Sequence, residues 1–120
     1  MQCGVDIVKI DRFEKSAKDE NFLKKYFSNE EQKYIEQKQN PKQTIAGIFC
    51  AKEAVLKAFG IGIGAGLNLS EISILHDSLG MPYVDVTAKI FYYLNQKNCN
   101  EISVSISHDG DYAVAFCVIN

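Results

Sequence analysis

The longest regular pattern of apolar positions lies between Asn40 and Gly60. Ile45, Ile48, Phe49, Val55, Leu56 and Phe59 recur at helical spacing on one broad face. Gly47, Ala51, Ala54 and Ala58 form a second face of small residues that lets neighbouring elements approach closely. Asn40 as N-cap, Pro41 at the first helical position and Gln43 three residues on predict a helix starting at Pro41. Gly60 is placed to end it after Phe59 as a left-handed cap. A helix apolar on one face and small on the other is covered on most sides.

Shorter patterns flank it. Cys3 to Ile10 reads as a strand with Val5, Ile7 and Ile10 as apolar positions around Asp6, and Asp11 to Lys18 as a short helix. Ser28-Asn29-Glu30-Glu31 is a capping box opening another helix. Ile72–Leu75 and Tyr83–Val86 read as strands around a turn at Asp77-Ser78-Leu79-Gly80, and Thr87 or Asp85 opens a helix holding Ile90, Phe91 and Leu94. Ile102, Val104 and Ile106 alternate with serines, Asp109-Gly110 signals a hairpin, and Tyr112 to Ile119 is its second strand. Helices fill the first half and antiparallel strands the second, which predicts an α+β fold. With no repeat or linker, residues 1–120 read as one domain.

Composition narrows the class. The first ten residues carry Asp6 and Lys9 and resemble no signal peptide, and no apolar run is long enough to span a bilayer. A soluble, cytoplasmic protein without a membrane partner is expected. Cys3, Cys50, Cys99 and Cys117 lack metal-binding spacing, and the expectation is four reduced thiols. A formal net charge of −2 argues against nucleic-acid binding. That charge is unevenly spread: Arg12, Lys15, Lys18, Lys24 and Lys25 concentrate positive charge near the N-terminus.

The charges on the long helix need an explanation. Lys52 falls within the apolar stripe, and Glu53 and Lys57 stand one turn apart beside it. In one reading Glu53 and Lys57 pair on a solvated edge while Lys52 reaches outward. In the other, the lysines meet phosphate oxygens and Glu53 binds a hard cation bridging to them. A cation needs a second carboxylate, for which Asp6 is the candidate; an exposed edge position also accounts for it. Without a cation, two carboxylates ~4 Å apart repel by ~4 kcal/mol at an effective dielectric near 20. Magnesium suits so sparse a set, because it keeps several waters and uses substrate phosphates. The alternating glycines Gly60, Gly62, Gly64 and Gly66 form a connector, or a loop whose amides approach a phosphate. His108, beside the Asp109-Gly110 turn, is placed either to meet a phosphate or move a proton, or simply to occupy a turn.

Taken in order, Gly4-Val5-Asp6-Ile7-Val8, Phe27-Ser28-Asn29-Glu30-Glu31, Phe49-Cys50-Ala51-Lys52-Glu53-Ala54 with Lys57-Ala58-Phe59-Gly60, Gly62-Ile63, Gly66-Leu67, Gly80-Met81-Pro82 and Ser105-Ile106-Ser107-His108 resemble the holo-[acyl-carrier-protein] synthases. These are small phosphopantetheinyl transferases. The resemblance implies the phosphopantetheinyl transferase fold, a homotrimer with active sites between subunits, and a role in fatty acid biosynthesis. It implies transfer of 4'-phosphopantetheine from coenzyme A to a serine of an apo-acyl carrier protein, releasing adenosine 3',5'-bisphosphate. Magnesium falls to Asp6 and Glu53. Lys57 falls to the phosphates, and Lys52, Gly62, Gly64 and His108 to the coenzyme. Arg12, with Lys15 and Lys18, falls to the carrier's acidic helix. The serine's proton goes to Glu53 directly or to a magnesium-bound water. Ile48 and Met81 stand where family members commonly carry basic residues. A coenzyme A thioesterase and a non-catalytic adaptor for an acidic partner are the rival readings.

Overall fold

A computed structural model describes residues 1–62 and 64–120. Strand β1 (Gln2–Lys9) leads into two 3-10 turns, Ile10–Phe13 and Ser16–Lys18, then α1 (Glu20–Tyr26), α2 (Asn29–Glu36) and α3 (Pro41–Phe59). A 3-10 turn (Leu69–Glu71) precedes the hairpin β2 (Ile74–His76) and β3 (Pro82–Val84). Helix α4 (Ala88–Gln96) and the hairpin β4 (Ile102–Asp109) and β5 (Tyr112–Ile119) complete the chain. The main sheet has the order β1-β5-β4 and is antiparallel throughout, with the expected two-residue turn pairing Asp109 with Tyr112. This is the α+β arrangement the sequence predicts.

Helix α3 lies against one face of that sheet. Its residues from Ile45 to Phe59 are buried except Glu53 and Lys57. Each large apolar side chain so buried contributes about 1.5–3 kcal/mol. Gly60 ends the helix at φ 71°, a left-handed value that glycine adopts without Cβ strain. Asn40 does not cap the first turn; its side chain instead donates to Gln43 Oε1 at 3.2 Å. The small face makes its close approach to β1: a Cβ on Gly4 would stand 2.1 Å from the Ala54 carbonyl.

Two further expectations change. Asp11–Lys18 forms 3-10 turns, and the helix follows it as α1, capped by Asp19, which accepts from the amides of Asn21 and Phe22. Lys42 ties these turns to α3 by pairing with Asp11 (2.9 Å) and Glu14 (2.7 Å). In β1 the alternation runs opposite to the apolar pattern. Gly4, Asp6 and Val8 pair with Cys117, Ala115 and Ala113, which are buried under α3, while Val5 and Ile7 face outward and are exposed. Between Asp85 and Thr87 the structure selects Thr87, whose hydroxyl accepts from the Ile90 amide. Among the described residues no helix is long and apolar enough to cross a membrane.

Candidate active site

Strand alternation turns Asp6 toward α3, and its side chain is only 17% exposed. Lys57, in the last turn of α3, donates to Asp6 Oδ1 at 3.0 Å and to the Val5 carbonyl at 2.9 Å. An ammonium has three donors, so one remains for a ligand, on a side chain that is half exposed. Glu53, one turn earlier, is half-buried beside them. Burial, then the charge of Asp6, raises its carboxyl above the ordinary value, while Lys57 and Arg12 oppose the shift. Asp6, Glu53 and Lys57 therefore converge, and Lys57 pairs with Asp6 instead of Glu53. The Cys50 thiol, held up to about 12 chiefly by burial, adds a 2.9 Å hydrogen bond to the Asp6 carbonyl.

Two carboxylates whose mutual repulsion is partly relieved by one lysine fit a hard cation. Among the described residues no three His, Cys, Asp or Glu side chains cluster as a closed metal site. The pair Asp6 and Glu53 thus suits a cation that takes most of its ligands from water and substrate, which is the habit of magnesium.

Lys52 requires a correction. Expected at the coenzyme, it is instead wholly buried, with its ammonium paired to the equally buried Glu31. The ammonium also donates to the carbonyls of Tyr26 (2.6 Å) and Leu69 (2.9 Å), and it sits 4.6 Å from the Phe27 ring centroid. All three donors are used, so Lys52 has nothing left to offer a phosphate. Burial lowers its pKa to about 8 and raises that of Glu31. Removing one member of such a pair costs about 3–5 kcal/mol.

His108 is exposed on β4, with Nε2 3.3 Å from the Gln43 carbonyl and against Gly47. It lines a cleft of about 200 Å³ with Tyr34, Thr44, Ile48, His76 and Pro82. Gly47 precedes Glu53 by six residues, or about 9 Å of helix axis, so a single chain does not bring His108 to the two carboxylates. Tyr34 and His76 stack there at 4.1 Å, and neither stands out in the sequence because their contact joins two distant segments. Gly64 lines a second cleft with Lys25, Tyr26 and Asn68. Among the described residues nothing lies within 4 Å of a Cβ placed on Gly62, and Ile63 lies outside the described residues. Arg12, Lys15 and Lys18 are exposed, and the Arg12 guanidinium lies 5.3 Å from the Phe49 ring centroid.

A sequence profile of the 4'-phosphopantetheinyl transferase superfamily matches residues 2–117. The chain belongs to that superfamily. It is 42% identical over 117 residues to a holo-[acyl-carrier-protein] synthase of Fusobacterium nucleatum, covering 97% of this chain and 95% of that one. To the synthase of Ruminiclostridium cellulolyticum it is 43% identical over 123 residues, covering 100% and 92%. Among solved structures it resembles the Neisseria meningitidis synthase with a TM-score of 0.88, 30% identity and coverage of 99% and 97%. It also resembles the Helicobacter pylori synthase in complex with coenzyme A, at a TM-score of 0.84, 33% identity and coverage of 98% and 99%. Family membership agrees with the ordered segments: Gly4-Val5-Asp6 and Lys52-Glu53-Ala54 lie side by side because β1 packs on α3.

Proposed function

We infer that this protein is a holo-[acyl-carrier-protein] synthase. It transfers the 4'-phosphopantetheine group of coenzyme A to a serine of an apo-acyl carrier protein, releases adenosine 3',5'-bisphosphate, and serves fatty acid biosynthesis. The observation that carries this reading is the convergence of Asp6, Glu53 and Lys57 at the β1–α3 contact. Asp6 and Glu53 are the proposed ligands of magnesium, which supplies positive charge to the pyrophosphate when bound.

The serine oxygen forms a bond to the β-phosphorus as the bridging oxygen bond breaks, and adenosine 3',5'-bisphosphate leaves with the electron pair. Such transfers depend on positioning and on stabilising charge. Lys57 keeps its ammonium on Asp6 and directs its remaining N–H at the leaving phosphate. Glu53, directly or through a water it deprotonates, accepts the serine proton. The basic face of Arg12, Lys15 and Lys18 receives an acidic carrier and speeds the encounter. Gly62 and Gly64 offer open backbone to the coenzyme, and His108 with its cleft meets the coenzyme's other end.

The working form is a homotrimer. Val5 (53% exposed), Ile7 (63%) and Phe116 (44%) lie together on the uncovered face of the sheet, where Val5 pairs with Phe116. An apolar sheet face of this kind calls for a cover. Association also brings one subunit's His108 cleft toward another's carboxylates. The four unpaired cysteines suit a reducing cytoplasm, and the continuous core suits a single domain over residues 1–120. Incubation with coenzyme A, magnesium and an apo-carrier tests the reaction: the carrier gains one phosphopantetheine, and an unchanged carrier mass refutes the reading.

A further inference from the structure

Glu31 and Lys52 are the only buried charges among the described residues, and neither reaches the reacting groups. Stability alone does not explain them, because a buried ion pair seldom outperforms apolar side chains of the same size. Their bonds join segments far apart in the chain. Lys52 holds the carbonyl of Tyr26 at the end of α1 and that of Leu69 beyond the glycine loop. Glu31 accepts from the Ser28 amide at 2.8 Å and from the Ile74 amide, at the start of β2, at 2.9 Å. On the other flank of α3, Cys50 and Lys57 bond to the backbone of β1 at Asp6 and Val5. Glu53 stands between these two sets of directional bonds.

Apolar contacts are non-directional and leave a packed helix free to settle at a slightly different roll. A roll of about 20° moves a group 5–6 Å from the axis by about 2 Å. A functional constellation tolerates only about 0.5 Å. We propose that the Lys52–Glu31 pair is a positioning device for the reaction, fixing the roll of α3 so that the Glu53 carboxylate faces Asp6 and a divalent cation is held between them. This rests on the reading of Asp6 and Glu53 as the cation's ligands.

The test is Mn2+ binding in the presence of coenzyme A, followed by electron paramagnetic resonance, for the wild type, Lys52→Met and Glu31→Gln/Lys52→Met. Thermal unfolding, kcat and KM for coenzyme A are measured on the same samples. Both variants lose about 10–100-fold in Mn2+ affinity, as disturbed supports of metal ligands do. Their kcat falls in parallel, and KM for coenzyme A stays within about twofold. The double variant buries no unpaired charge; it recovers melting temperature without recovering Mn2+ affinity. A double variant with wild-type melting and wild-type Mn2+ affinity overturns the positioning role. Failure of both variants to fold assigns the pair to stability alone and overturns it too. A wild type that binds no Mn2+ defeats the cation reading itself, an outcome distinct from either.

Discussion

Lys57, in the last turn of α3, donates a 3.0 Å hydrogen bond to Oδ1 of Asp6, in the middle of β1. The bond joins residues 51 apart and fixes the edge of the site where the leaving phosphate is expected. Lys57→Ala removes the ammonium but leaves the buried face of α3 intact. Turnover falls about 10²–10³-fold, the usual loss when one donor to developing charge is deleted. Steady-state assays check this, with KM for coenzyme A changing less than kcat.

The packing of β1 on α3 is the mechanical basis of that geometry. A Cβ at Gly4 meets backbone, 2.1 Å from the Ala54 carbonyl and 2.6 Å from the Ala58 amide, and neither can swing aside. Gly4→Ala is expected to cost at least about 1–3 kcal/mol by urea unfolding. It also lowers activity in the fraction that stays folded, because Asp6 moves with the strand.

The Tyr34–His76 stack predicts an acid sensitivity. Burial, then the Lys38 charge, holds the His76 pKa below its ordinary 6.5, against a weaker pull from Asp77. Well above pH 6.5 the imidazole is neutral in both folded and unfolded chains. As pH falls below 6.5 the unfolded chain takes up a proton that the folded one resists, so stability drops until the folded pKa is passed. His76→Gln flattens this part of the stability profile. Melting curves across the range detect it, and an unchanged slope contradicts it.

Charges on the outer sheet face test the assembly. Phe116→Glu and Ile7→Glu each place a carboxylate on an apolar surface that a second subunit would cover, at a cost of several kcal/mol if it stays charged and unpaired. Sedimentation is expected to show a trimer for the wild type and a monomer for both variants.

Much of this was legible in the residues. Pro41 and Gly60 bracket α3, and the Ser28–Glu31 box opens α2, because such residues act locally, although Asn40 makes no capping bond. The partner of Lys52 was not legible. Glu31 reads as a cap and does cap, but its second oxygen reaches across 43 residues to Ile74, and only tertiary packing brings Lys52 to it. The face of β1 was misleading for a related reason. Val5 and Ile7 look like core positions, yet the small surface of α3 selects Gly4 and its neighbour Asp6 instead. Helix α1 went unread because seven residues hold too little periodicity to separate it from the charged stretch before it.

The central claim is that Asp6 and Glu53 act together in phosphopantetheine transfer. The most direct measurement is the mass of an apo-carrier protein after incubation with coenzyme A, magnesium and either wild-type protein, Asp6→Ala or Glu53→Ala, with folding verified by circular dichroism. Wild-type protein adds one phosphopantetheine to the carrier, and both folded variants leave its mass unchanged. Full conversion by either variant would contradict the account.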